Sequence, residues 1–135
     1  MKIWRSVLGV IAGLVAWAIV FYALAFGLAA LWRDYGLHGR EFFDSGAFTF
    51  TAPMAACNLV FWALAAVAAG WVTMKIAQRR EAVWVIAGLL VIYLGCIHLL
   101  LYWPRYPWWY NLGVVIPAVF AVLLGGRLAG RRAAA

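Results

Sequence analysis

The sequence predicts an all-α protein: a bundle of four transmembrane helices with both termini on the cytoplasmic side. Three observations predict it. First, 69% of the 135 residues are apolar and 11% are charged, whereas a soluble domain of this size carries about a quarter charged residues to solvate its surface. Second, the apolar residues fall into long runs instead of recurring at an amphipathic period, and about 20 of them in succession cross a hydrocarbon core of roughly 30 Å. Third, the basic residues collect at the ends of these runs, where they meet headgroups and set orientation.

The first span covers about residues 7–32, after Lys2 and Arg5. Ala23-Leu24-Ala25 resembles a signal-peptide cleavage site, but the apolar run continues past it to Trp32, too far for a signal-peptide core, and an uncleaved helix is expected. Residues 33–52 form the one substantial outer loop. Gly36, Gly39 and Gly46 disfavour a continuous helix there. Phe42, Phe43, Phe48 and Phe50 are too many rings for a free loop, so the segment is expected to lie on the membrane surface or fold back over the bundle. The second span covers about 53–76, with Thr51 as N-cap and Pro53 in the first turn. A short basic turn, Gln78-Arg79-Arg80-Glu81, leads to a third span over about 83–103. Pro104 and Pro107 bound a compact turn before the fourth span, about 108–128. No internal repeat or linker divides the chain, which reads as one domain.

With both termini inside, the cytoplasmic side holds Lys2, Arg5, Lys75, Arg79, Arg80, Arg127, Arg131 and Arg132, and the outer side holds Arg33, Arg40 and Arg105. Eight against three is a clear positive-inside bias and disfavours dual topology. Trp4, Trp71 and Trp84 fall near the inner boundary, and Trp32, Tyr102, Trp103, Tyr106 and Trp108 to Tyr110 near the outer one, as interfacial aromatics do. The net charge of +7 is explained by these span ends. No basic stripe interleaved with aromatics is present, so nucleic acid is not expected as a partner and the lipid bilayer is.

Ionisable groups inside a bilayer are costly and mark function by default. All four acids, Asp34, Glu41, Asp44 and Glu81, lie outside the spans. The small four-helix multidrug exporters are of similar size but carry a glutamate in the first helix, which is lacking here. His98 stands deep in the third span, with Tyr102 one turn on along the same face. Folding the second and third spans about residues 79–80 brings Asn58 within roughly one turn of the level of His98. Asn58, His98 and Tyr102 thus form a candidate intramembrane polar cluster. It reads either as interhelical hydrogen bonding or as a contact for haem, quinone or another ligand.

His38 with nearby carboxylates in the outer loop is a poor metal pattern, and no metal or cofactor is called for. Cys57 and Cys96 form no CxxC pair and read as small buried hydrophobes. No Ser/His/Asp constellation, phosphate loop or HExxH motif appears, and no catalytic residue is expected.

Small residues carry the packing signal. Gly9 and Gly13, Ala66 and Gly70, and Gly126 and Gly130 are candidate helix-packing pairs at four-residue spacing, and Gly88 and Gly95 stand seven apart on the third span. Pro117 crowds the carbonyl of Gly113 and is a candidate kink in the fourth span.

Ala69-Gly70-Trp71-Val72, then Lys75-Ile76-Ala77 and an arginine pair, together with the closing Leu124-Gly125-Gly126-Arg127-Leu128-Ala129-Gly130, resemble small uncharacterised four-helix inner-membrane proteins of proteobacteria. The resemblance covers mainly the last three helices. It implies a bacterial inner-membrane location and the same four-span layout, and no activity. The functional expectation is a non-enzymatic accessory or self-associating helix-bundle protein, as a homo-oligomer or in a larger membrane complex. The alternatives are a small transporter or channel, and a cofactor- or quinone-binding protein that uses His98.

Overall fold

A computed structural model describes residues 2–131, and among these residues every regular element is a helix. Helix α1 is Lys2–Leu31, α2 is Arg33–Ser45, α3 is Ala52–Ala77, α4 is Arg80–Gly95 and α5 is Trp108–Arg131. Helix α4 continues as a π-helical turn over Cys96–Leu101. Four helical stretches are long and apolar enough to cross a membrane: Ile3–Leu31, Ala52–Ala77, Arg80–Leu101 and Trp108–Gly130. The chain is a multi-pass membrane protein. The helices overrun the apolar runs by a few residues at most ends, because the flanking basic turns remain helical as they enter the headgroup zone. Arg132, counted with the basic residues of the inner side, lies outside the described residues.

Helix α3 is central. It packs chiefly against α1 on one side and α5 on the other, and α4 rests mainly on α5. Lipid tails are as apolar as leucine, so these contacts depend on close backbone approach and not on a hydrophobic drive. Gly9 and Gly13 of α1 provide it on one side. A Cβ at Gly9 would stand 2.9 Å from Ala77 Cβ, and one at Gly13 would stand 2.1 Å from Thr73 Oγ1. On the other side the fit is reciprocal. A Cβ at Gly70 would stand 1.9 Å from the Val122 carbonyl oxygen, and one at Gly125 would stand 2.0 Å from that of Val67. Each helix thus seats a carbonyl of its partner on a glycine Cα. Ala66 is buried in the same seam, in a core with Val83, Ile86, Leu90 and Val122. Gly126 faces Val83, and Gly130 faces the Met74 side chain. Gly88 and Gly95 have no neighbour within 4 Å of an added Cβ, so they take no part in close packing.

Two elements depart from the expectations. The outer segment 33–52 is not a loop throughout, since α2 forms despite Gly36 and Gly39. Gly36 lies against the Ala29 carbonyl, where a Cβ would stand 3.2 Å away, so one of the two glycines lets α2 fold close over the end of α1. Tyr35 and Phe42 recur at helical spacing and pack inward, Asp34 sits in the first turn, and Gly46 closes the helix in the left-handed region with φ 67°. Tertiary packing outweighs the glycine penalty of about 1 kcal/mol each. Thr51 does occupy the N-cap position of α3, but its side chain makes no capping bond.

The second departure concerns Cys96. Helix α5 includes Pro117, which is exposed, as an interior residue. Gly113 is where α5 meets Leu59 of α3, at 3.1 Å from an added Cβ. Cys96 is exposed, not buried, because it continues the exposed face of Ile92 and Tyr93; Cys57 is half-buried.

Candidate functional site

At the α2 end of the bundle lies a cavity of about 620 Å³. Its floor and walls come from every helix. Asn58 and Trp62 of α3 stand beside His98 of the π-helical turn, with Tyr102 and Tyr106 from the turn before α5 and Tyr110 from α5 itself. Helix α2 and the extended residues after it roof the cavity with Tyr35, Phe42, Phe48 and Phe50.

The polar groups in this wall are paired in two sets. The buried Tyr35 hydroxyl donates to Asn58 Oδ1, tying the roof helix to α3. His98 Nδ1 lies 3.0 Å from Asn111 Oδ1, and Asn111 Nδ2 donates to the Tyr106 carbonyl at 3.3 Å. The second bond fixes the amide. With Nδ2 donating, Oδ1 must accept, so Nδ1 carries the imidazole hydrogen. In the neutral ring Nε2 is then the acceptor. The π-helical turn matters here: the Tyr102 N–H bonds the Ile97 carbonyl at 3.1 Å across this wider turn, and Leu94 and His98 both remain on the buried side.

Around His98 the rings form a box. Trp62 meets it edge-on with ring centroids 6.0 Å apart, and Tyr102 does so at 5.6 Å. Tyr102 stacks on Tyr106 at 4.6 Å, and Phe48 packs on Tyr110 at 4.9 Å. One donor in this wall, the Tyr106 hydroxyl, is buried without a hydrogen-bond partner, while Trp62 Nε1 is directed at the Tyr110 hydroxyl. Leaving a buried donor unpaired costs about 1–3 kcal/mol. Burial raises the Tyr106 hydroxyl pKa, and the neighbouring Tyr102 and Tyr110 raise it further against a smaller opposing effect of Arg105. Burial, with a smaller contribution from Cys57, pushes that of Tyr35 up to about 12. Both hydroxyls therefore remain donors across the whole physiological range.

The cavity is bordered by α1 and α4 on one side. Trp17 of α1 and Tyr93 of α4 touch edge-on at 5.9 Å, and beyond this contact the cavity occupies the space between the two helices. Its rim there is Tyr22, Phe26 and Tyr93, which are 46%, 65% and 52% exposed. These three residues lie within the membrane-spanning stretches of α1 and α4, and the exposed Arg40 of α2 also lines the cavity.

Asn58, His98 and Tyr102 all line this one cavity. His98 and Tyr102 are in ring contact, whereas Asn58 bonds Tyr35 instead of either of them. Asn111, Tyr35 and Tyr106 complete the site and were not anticipated. A signal for Asn111 existed, since an amide inside the fourth apolar run is as anomalous as His98 in the third. Tyr35 was hidden by reading its segment as a loop. His38 is held by Thr49, Nδ1 to Oγ1 at 2.8 Å, with Glu41 Oε2 at 3.9 Å. Among the described residues no three metal-ligating side chains converge. Comparison with known protein families, curated proteins and solved structures gives no match.

Proposed function

We propose that this chain is a bacterial inner-membrane protein, with cytoplasmic termini, that binds a lipid-soluble molecule with a planar, oxygen-bearing head group without transforming it. An isoprenoid quinone or a similar ring amphiphile is the class that fits. The observation that carries this reading is the aromatic cavity with its border on α1 and α4. A ligand entering between Tyr22, Phe26 and Tyr93 arrives from the bilayer and is therefore apolar over most of its length. Flat aromatic walls suit a ring. The unpaired Tyr106 hydroxyl calls for an acceptor oxygen, and His98 Nε2 would accept from a hydroxyl. The small-residue faces that motivate self-association, Gly9, Gly13, Ala66 and Gly70, are occupied by helices of the same chain, so the cavity carries more of the argument.

Titration of the detergent-solubilised protein with a short-chain benzoquinone, followed by tryptophan fluorescence, tests this. Saturable quenching is expected, weakened about fivefold by His98→Ala through loss of one hydrogen bond. Gly39→Leu, which fills open space in the cavity wall, is expected to abolish saturation while leaving the helix content unchanged. Quenching that rises linearly, alike in wild type and Gly39→Leu, would show mere partitioning and remove the proposal. The orientation rests on the positive-inside bias; a C-terminal alkaline phosphatase fusion is expected to be inactive and a fluorescent-protein fusion bright.

A further inference from the structure

The opposite end of the bundle holds a second crevice, of about 700 Å³, walled by α3, α4 and α5. Its lining is divided by chemistry. Met74, Val83 and Leu123 form an apolar wall, and Arg80 and Arg127 stand at its mouth with Trp84 beside them. Both arginines are exposed, and among the described residues neither is paired with a carboxylate. Glu81 follows Arg80 in the first turn of α4 but is no part of the lining. Further positive charge is close in sequence, from Arg79 at the N-cap of α4 and Lys75 in the last turn of α3. Gly126 and Gly130 of α5 line it where Val83 and Met74 pack close.

The geometry points to a binding site for the phosphate of an anionic phospholipid. Two guanidiniums from different helices can converge on one phosphate, each offering a planar fork of donors. A free phosphate would use only that mouth. The apolar wall below it descends into the spans and suits acyl chain, and Trp84 has the amphipathic ring that favours the headgroup level. The lipid is thus the occupant for which both halves of the crevice are matched. This site is separate from the aromatic cavity and calls for charge, where the cavity calls for a neutral ring.

Native mass spectrometry of delipidated full-length protein, re-supplied with equal phosphatidylglycerol and phosphatidylcholine, tests the assignment. The wild type is expected to retain phosphatidylglycerol preferentially. Arg127→Gln and Arg80→Gln are each expected to lower that preference about fivefold, roughly the contribution of one basic residue at a lipid surface. Arg105→Gln, at the other end, is the control and is expected to change nothing. Equal retention of the two lipids by the wild type would overturn the proposal without recourse to any variant. So would an unchanged preference in folded Arg80→Gln/Arg127→Gln protein. Full displacement of phosphatidylglycerol by millimolar inorganic phosphate would assign the arginines to a free anion and overturn the lipid assignment.

Discussion

At the scale of single residues, the cavity depends on side chains that hold one another in place. Asn111 is completely buried and uses both ends of its amide, one to fix His98 and one to hold the Tyr106 carbonyl. Tyr35 joins the roof to Asn58 through a hydroxyl whose pKa is pushed up to about 12, chiefly by burial. The sign of the resulting pH dependence follows. The unfolded hydroxyl ionises near pH 10 and the folded one near 12, so the folded state binds more protons between these values. Stability is therefore at its full value below pH 10 and falls as pH rises from 10 towards 12. Thermal unfolding in detergent between pH 8 and 11.5 is expected to show this fall, and Tyr35→Phe to lessen it; Tyr106, also raised, adds to the slope. An equal slope in Tyr35→Phe/Tyr106→Phe would assign it elsewhere. Sequence disclosed His98 because an imidazole in an apolar run has no bland neighbours. It did not disclose its partner, because hydrogen bonding across helices depends on a register that one span alone does not contain.

At the scale of elements, glycine acts in opposite ways in different helices. Gly70 of α3 admits the Val122 carbonyl, so Gly70→Ala must drive α3 and α5 apart and is expected to destabilise the protein by about 2 kcal/mol or more. Gly39 of α2 has open space around it, and Gly39→Ala is expected to stabilise by about 0.5–1 kcal/mol through helix propensity. Unfolding midpoints of the two variants, measured together, check both signs; a neutral Gly70→Ala would refute the close packing. The four-residue spacing of Gly9, Gly13, Ala66, Gly70, Gly126 and Gly130 was visible in the sequence. Gly125 fits as tightly as Gly70 but does not stand out in the sequence, because adjacent glycines cannot be ranked until the facing carbonyl is known. Helix α2 was missed for a related reason, since local propensity counted its glycines and could not see the packing of Tyr35 and Phe42 that outweighs them.

At the scale of the whole molecule, four apolar runs with charged ends left one reading of fold class, and the structure has that fold. What hydropathy could not supply was the arrangement, in which α3 lies between α1 and α5 and the helices separate enough at one end to leave the cavity. The two crevices sit at opposite ends and share no lining residue. Changes at well-separated sites add independently. Arg80→Gln/Arg127→Gln is accordingly expected to leave benzoquinone affinity within about twofold of wild type. A larger change in the same fluorescence titration would mean that the two ends communicate.

The reciprocal seating of α3 and α5 also bears on how the chain is assembled. Helices α3 and α4 leave the ribosome as neighbours, yet α3 packs chiefly on α1 and α5, and α4 chiefly on α5. Until that last segment enters the bilayer, the notch at Gly70 faces lipid and α4 lacks its principal support. The packing of α3 and α4 therefore depends on α5. A chain stalled or clipped before Trp108 would present an unfilled backbone groove within the membrane, a feature by which intramembrane quality control can tell the unfinished molecule from the finished one.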